Sequence, residues 1–106
     1  MKVNVLGTEY TVTFKSDEDV CAAMNVQIGE CGGYCNVATK EIVIANLNTT
    51  TDSEAEKDVI KKSSLRHEAV HAFLNESGLA DNSNMVDWFA IQGPKIYKVW
   101  QEAGAL

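Results

Sequence analysis

Apolar and polar side chains alternate along the first fifteen residues. Val3 and Val5 precede Gly7, and Tyr10, Val12 and Phe14 follow it, within "VNVL", "GTE" and "YTVTF". Alternation of period two in β-branched and aromatic residues, broken by a glycine, predicts a β-hairpin with its turn at "GTE". In "KSDEDVCAAMN", Ser16 and Asp19 have the spacing of a cap on a short helix. "GECGG" is expected to be a loop. "YCNV", a turn at "ATK", and "EIVIANL" predict a second hairpin, and the polar run "NTTTDS" ends the sheet region.

From Ser53 the period becomes helical. Ser53-Glu54-Ala55-Glu56 is a capping box, with its acids in the first turn where the helix dipole favours them. The helix is expected to reach Ser77 and stop at Gly78. Ile60, Ser64, His67, Val70, His71 and Leu74 then share one face. After "LADNS" a second helix is predicted from near Asn84 through "MVDWFAIQ". Gly93-Pro94 should break or kink it. "KIYKVWQEA" continues it, with Ile96, Val99 and Trp100 toward the core. Trp88 and Phe89 are also expected in the core. The order predicts an α+β fold, a small antiparallel sheet packed on helices, in a single domain over residues 1–106.

Composition narrows the classes. The chain has 106 residues, 45% of them hydrophobic and 23% charged, which is ordinary for a globular domain. No apolar run approaches the roughly 18 residues of a membrane span. The first residues alternate instead of forming a signal-type apolar block, so a cytoplasmic protein is expected. The formal charge of −6 repels phosphate backbones, which disfavours nucleic acid as a partner. No basic amphipathic helix suggests a membrane surface. Cys21, Cys31 and Cys35 are three in number, and "CGGYC" is neither a C-x-x-C redox pair nor half of a zinc ribbon. Reduced thiols are the expectation.

One stretch carries chemistry: "SSLRHEAVHAFLNESG" holds both histidines of the chain. His67-Glu68-Ala69-Val70-His71 is an H-E-x-x-H sequence. On a helix, side chains at i and i+4 stand one above the other, so two imidazoles can reach one zinc ion. Glu68 projects about 100° round the helix from His67, where a general base belongs. The expected reaction is peptide-bond hydrolysis by a metal-bound water, its pKa lowered by the zinc and its proton taken by Glu68. Arg66 is placed to meet a substrate carboxylate, and Tyr34 or Tyr97 to steady an oxyanion. Each has an ordinary structural reading as well, Arg66 as a solvated surface charge and the tyrosines as core aromatics.

"LRHEAVHAFLNESGL" followed by "MVDWFA" resembles the small phage and prophage metallopeptidase-like proteins, minimal gluzincin-type domains similar to the ImmA/IrrE-type peptidases that cut transcriptional repressors. The resemblance implies a sheet of three or slightly more strands packed on the motif helix. It implies zinc held by His67 and His71, Glu68 as base, and a protein or peptide substrate such as a repressor. It also implies a third ligand, a glutamate at the start of the second helix. Ser83 and Asn84 stand there instead, and no glutamate lies between Glu76 and Glu102.

Asp87 is the preferred third ligand, because a carboxylate between Val86 and Trp88 in an apolar segment needs a partner. It has two other readings. It can accept from a ligand histidine and fix its tautomer, or it can cap a helix begun at Asn84, which has the spacing of a capping box. Asp81 or a water are the other candidates for the third position. A domain of the same origin that has lost catalysis and serves as a binding or structural module is the alternative function. The oligomeric state is left open.

Overall fold

The computed structural model describes residues 1–27, 32–78 and 82–106, Ser83 by its backbone alone. Strands β1 (Lys2–Val5) and β2 (Thr8–Lys15) form the first hairpin. Its turn is Leu6-Gly7, both with positive φ, one residue earlier than the sequence suggested. Helix α1 (Asp17–Met24) is capped by Ser16, whose Oγ accepts from the Asp19 N–H at 3.1 Å. Strands β3 (Gly33–Asn36) and β4 (Glu41–Ala45) form the second hairpin. The expected "GECGG" loop lies largely outside the described residues.

Helix α2 (Glu54–Glu76) starts and stops as the capping box and Gly78 predict. Ser53 Oγ accepts from the Glu56 N–H at 3.2 Å, and Gly78 takes a φ of 72°. Helix α3 (Ser83–Glu102) runs unbroken through Pro94. Its cap is Asn82, whose Oδ1 accepts from Met85 N–H at 3.0 Å. The box from Asn84 to Asp87 is therefore not formed, and Asp87 has no capping role.

The sheet is mixed, not antiparallel: its order is β1-β2-β4-β3, with β2 and β4 parallel. The second hairpin docks by its later strand. The reason is burial on both faces. Ile42 and Ile44 turn toward one face, Val43 and Ala45 toward the other, and all four are buried. A strand apolar on both sides belongs in the middle of a sheet. The more polar β3 is left at the edge. The fold class is α+β, a four-stranded mixed sheet with three helices.

Two cores flank the sheet. On the α2 side Val5, Tyr10, Val12, Ile42, Ile44 and Ala72 pack together, joined by Leu65 and Cys35. On the α1 side Val20, Val43, Ala45 and Leu47 do so, joined by Tyr34. Tyr34 therefore faces away from α2 and its histidines.

Two polar anchors fix the frame. Asp17, buried at the start of α1, accepts from Leu47 N–H (2.6 Å), Thr49 N–H (3.0 Å), Thr49 Oγ1 (2.7 Å) and Thr50 Oγ1 (3.1 Å). Burial pushes its pKa up, but these hydrogen bonds outweigh burial and hold the carboxyl below its ordinary value. They tie down the β4–α2 connection, where Leu47 sits at φ 65°. At the other end of α2, Glu76 accepts from Lys40 Nζ (2.7 Å), Tyr10 OH (2.7 Å) and Thr8 Oγ1 (3.0 Å). The Lys40 ammonium, followed by the Tyr10 hydroxyl, brings its pKa down to about 2. This clamp fixes the C-terminal end of α2 against the sheet.

Two expectations fail. Cys21 is disulfide-bonded, so the thiols are not all reduced; an odd count forbids pairing three but leaves room for one pair. Cys31 lies outside the described residues. The outer part of α3 also does not pack on the core. Trp88, Val99 and Trp100 are half or more exposed, Phe89 is nearly so, and Ala90 is the last buried residue of the helix. Among the described residues no second layer lies over that half.

Candidate metal centre

The i, i+4 spacing brings the two imidazoles together on the stretch of α2 that crosses β3 and β4. His67 Nε2 and His71 Nε2 stand 3.2 Å apart. Two nitrogens each about 2.0–2.1 Å from a tetrahedral zinc would be separated by roughly 3.3 Å. The pair is thus spaced as two ligands of one ion. Glu68 completes the cluster: the potential donor atoms of His67, Glu68 and His71 all lie within 4.8 Å of one another. Glu68 is 6% exposed, turned inward between α2 and the sheet.

Asp87 reaches this centre from α3. Its Oδ1 lies 3.1 Å from His67 Nδ1, on the side of the ring away from Nε2. Nε2, the nitrogen facing His71, is thus left on the opposite side of the ring from the carboxylate, and a proton held on Nδ1 beside Asp87 would give the tautomer that ligates through Nε2. Asp87 is not a member of the three-residue cluster, and among the described residues no other acid joins it. Asp81 lies outside the described residues. Asn84, in the place where a glutamate was expected, is exposed on the first turn of α3.

A cleft of about 330 Å³ opens beside the cluster, lined by Met24, Gly32, Gly33, Ser63, Ser64, His67 and Glu68. Two close approaches call for its glycines: a Cβ on Gly32 would collide with Ser64 Oγ of α2, and one on Gly33 with the Val43 carbonyl oxygen of β4. β3 pairs only with β4, so its outer edge adjoins the cleft without a strand partner among the described residues.

Sequence reasoning singled out His67, Glu68, His71 and Asp87; the fold groups the first three and sets Asp87, the expected third ligand, against His67 Nδ1 outside that group. It also named Tyr34 and Tyr97. Tyr34 packs against the opposite face of the sheet, and Tyr97 is exposed on the outer half of α3. Met24, Gly32, Gly33 and Ser64 were not anticipated as cleft residues. Their only signal was size, and small residues mark close approach only once the facing element is known.

No protein-family model matches the chain, and no match emerges among curated proteins or solved structures.

Proposed function

We propose that the chain is a zinc-dependent metallopeptidase of the minimal, gluzincin-like type, as the resemblance to phage and prophage proteins implies. The observation that carries the reading is the 3.2 Å separation of His67 Nε2 and His71 Nε2 with Glu68 buried beside them. Two neutral imidazoles and a carboxylate suit zinc in donor type and spacing. His67 and His71 would hold the ion. Bound there, zinc supplies a Lewis acid that polarises a peptide carbonyl and acidifies water. Glu68 takes the proton and passes it toward the leaving amine. Asp87 keeps His67 in its Nε2-ligating tautomer.

An extended polypeptide laid against the edge of β3 would bring its scissile carbonyl to the cleft, by strand addition. The substrate class is thus an unstructured protein segment, and a transcriptional repressor remains the proposed instance. Cytoplasmic action belongs to the same proposal, and one observation weighs against it. A disulfide at Cys21 is more at home in an oxidising compartment.

A non-catalytic binding module is the second reading. It is favoured by the donor set: among the described residues the group that could hold a metal is His67, Glu68 and His71, so a third protein ligand would have to be Glu68 itself, the proposed base. One experiment separates the two. Protein purified without chelator should carry about one zinc per chain by elemental analysis, and His67→Ala or His71→Ala should abolish it. Glu68→Gln should retain the zinc and lose hydrolysis of unstructured polypeptides by about 10²-fold or more. Zinc-loaded wild type that cuts nothing the Glu68→Gln variant spares would establish the binding module instead.

A further inference from the structure

We propose that the Ser64 hydroxyl donates a hydrogen bond to the scissile carbonyl oxygen of the substrate, an assignment that rests on the metallopeptidase reading above. Sequence reasoning sought such a hydroxyl in Tyr34 or Tyr97. The fold sets Tyr34 against the other face of the sheet and Tyr97 on the outer half of α3. The cleft has hydroxyls of its own, at Ser63 and Ser64. Ser63 is exposed at its rim, whereas Ser64 is half-buried and turned toward the sheet.

Helix geometry puts Ser64 beside the proposed base. His67 and Glu68 follow it by three and four residues, so all three are neighbours one turn apart. Long side chains on a helix lean toward its N-terminus, which carries His67 and Glu68 over the turn that bears Ser64. The three line one cleft. Across it, Ser64 Oγ occupies the space that a Cβ on Gly32 would need. Gly32 C=O accepts from Ala45 N–H at 2.8 Å, and bonding alternates along an antiparallel pair. Gly33, opposite Ile44, therefore turns its N–H and C=O to the open edge of β3. A polypeptide held on Gly33 passes along the cleft, with Ser64 and Glu68 on the helix above it.

Nothing in the fold calls for a hydroxyl at this position. Ser64 Oγ has no hydrogen-bond partner among the described residues. Ser77, at the end of the same helix, shows the ordinary alternative: its Oγ donates back to the Phe73 carbonyl at 2.7 Å. Alanine would satisfy the close approach to Gly32, is the better helix former, and would leave no half-buried polar atom unpaired. A side chain that costs the fold and faces the cleft has its use in the cleft.

The test compares wild type, Glu68→Gln and Ser64→Ala, with zinc content measured for each. Ser64→Ala should hold as much zinc as wild type. Against unstructured polypeptides its kcat should fall about 10²-fold with KM nearly unchanged, as for a donor used in the transition state. A phosphinic peptide, whose P–O⁻ imitates the developing oxyanion, should bind Ser64→Ala about thirtyfold more weakly by calorimetry, which reads the hydroxyl without turnover. In chelator, the melting temperature of Ser64→Ala should equal or exceed that of wild type. A Ser64→Ala variant that cuts and binds the phosphinic peptide like wild type, while Glu68→Gln is inactive, overturns the assignment alone. A melting temperature lowered by several degrees also overturns it, by making the hydroxyl part of the fold. A wild type that holds no zinc or binds no phosphinic peptide ends the metallopeptidase reading and this assignment with it.

Discussion

Removing the Asp87 carboxylate distinguishes a group that orients His67 from one that binds metal itself. Asp87 Oδ1 is 3.1 Å from His67 Nδ1, and the side chain is 62% exposed. A hydrogen bond to a charged acceptor contributes about 1.5–3 kcal/mol when shielded from water. Exposure moves the figure just below that range, to about 1.4 kcal/mol, which is about tenfold in an equilibrium constant. Asp87→Ala should therefore weaken zinc binding about tenfold, the low end for losing the acceptor behind a ligand histidine. Asp87→Asn keeps an acceptor oxygen without the charge, so its loss should be smaller, about threefold. The assay is competition against a chromophoric chelator at fixed pH. Thermal stability serves as the control. Asn82, not Asp87, caps α3, so the melting temperature should hardly move. Unchanged affinity in Asp87→Ala would refute the tautomer argument. A loss beyond about a thousandfold would make Asp87 a ligand, and the contact to Nδ1 a resting arrangement.

Asn84→Glu puts a carboxylate on α3 one turn before Asp87, on the helix that bears on His67. It should raise zinc affinity at least about tenfold in the same titration, and no gain would mean that this turn does not reach the metal. The Glu76 clamp predicts an acid response. Its carboxyl has a folded pKa of about 2 against an ordinary 4.5, so its contribution is fully present above pH 4.5 and is lost as pH falls toward 2. Urea midpoints of wild type should fall across that window more steeply than those of Glu76→Gln, and parallel curves would contradict the shift.

What the sequence disclosed was local chemistry. A serine three residues before an acid caps a helix wherever the two lie, so the starts of α1 and α2 were legible at Ser16 and Ser53. The H-E-x-x-H spacing was legible for the same reason, since a helix alone puts His67 over His71. The start of α3 was expected near Asn84, but Asn82 is also able to cap and, standing first in line, took the role. Pairing between hairpins was harder, because alternation fixes which face a residue takes and not which strand is its neighbour. The signal was present in "EIVIA", apolar on both faces and so destined for the centre, yet its weight depends on β3 being the more polar alternative. The aromatics of α3 were misplaced by a sound rule applied to one chain. Tryptophan on a helix seeks burial, but Trp88 and Trp100 find no second layer here to provide it.

That misplacement bears on the site, because α3 also carries Asp87. Asp87 projects from the anchored half of the helix toward His67, while the outer half has no fully buried side chain. The contact to His67 can be no firmer than the seat of α3 on α2, whose buried residues on α3 are Val86 and Ala90. Loosening that seat should therefore reach the metal: Val86→Ala should weaken zinc binding by no more than the roughly tenfold that Asp87 itself contributes, and an unchanged affinity would mean that the contact does not depend on how α3 packs on α2. With Glu68 kept as the base, a centre held by two histidines is sensitive to small gains in order, since each unit of preorganisation is a larger share of what holds the ion.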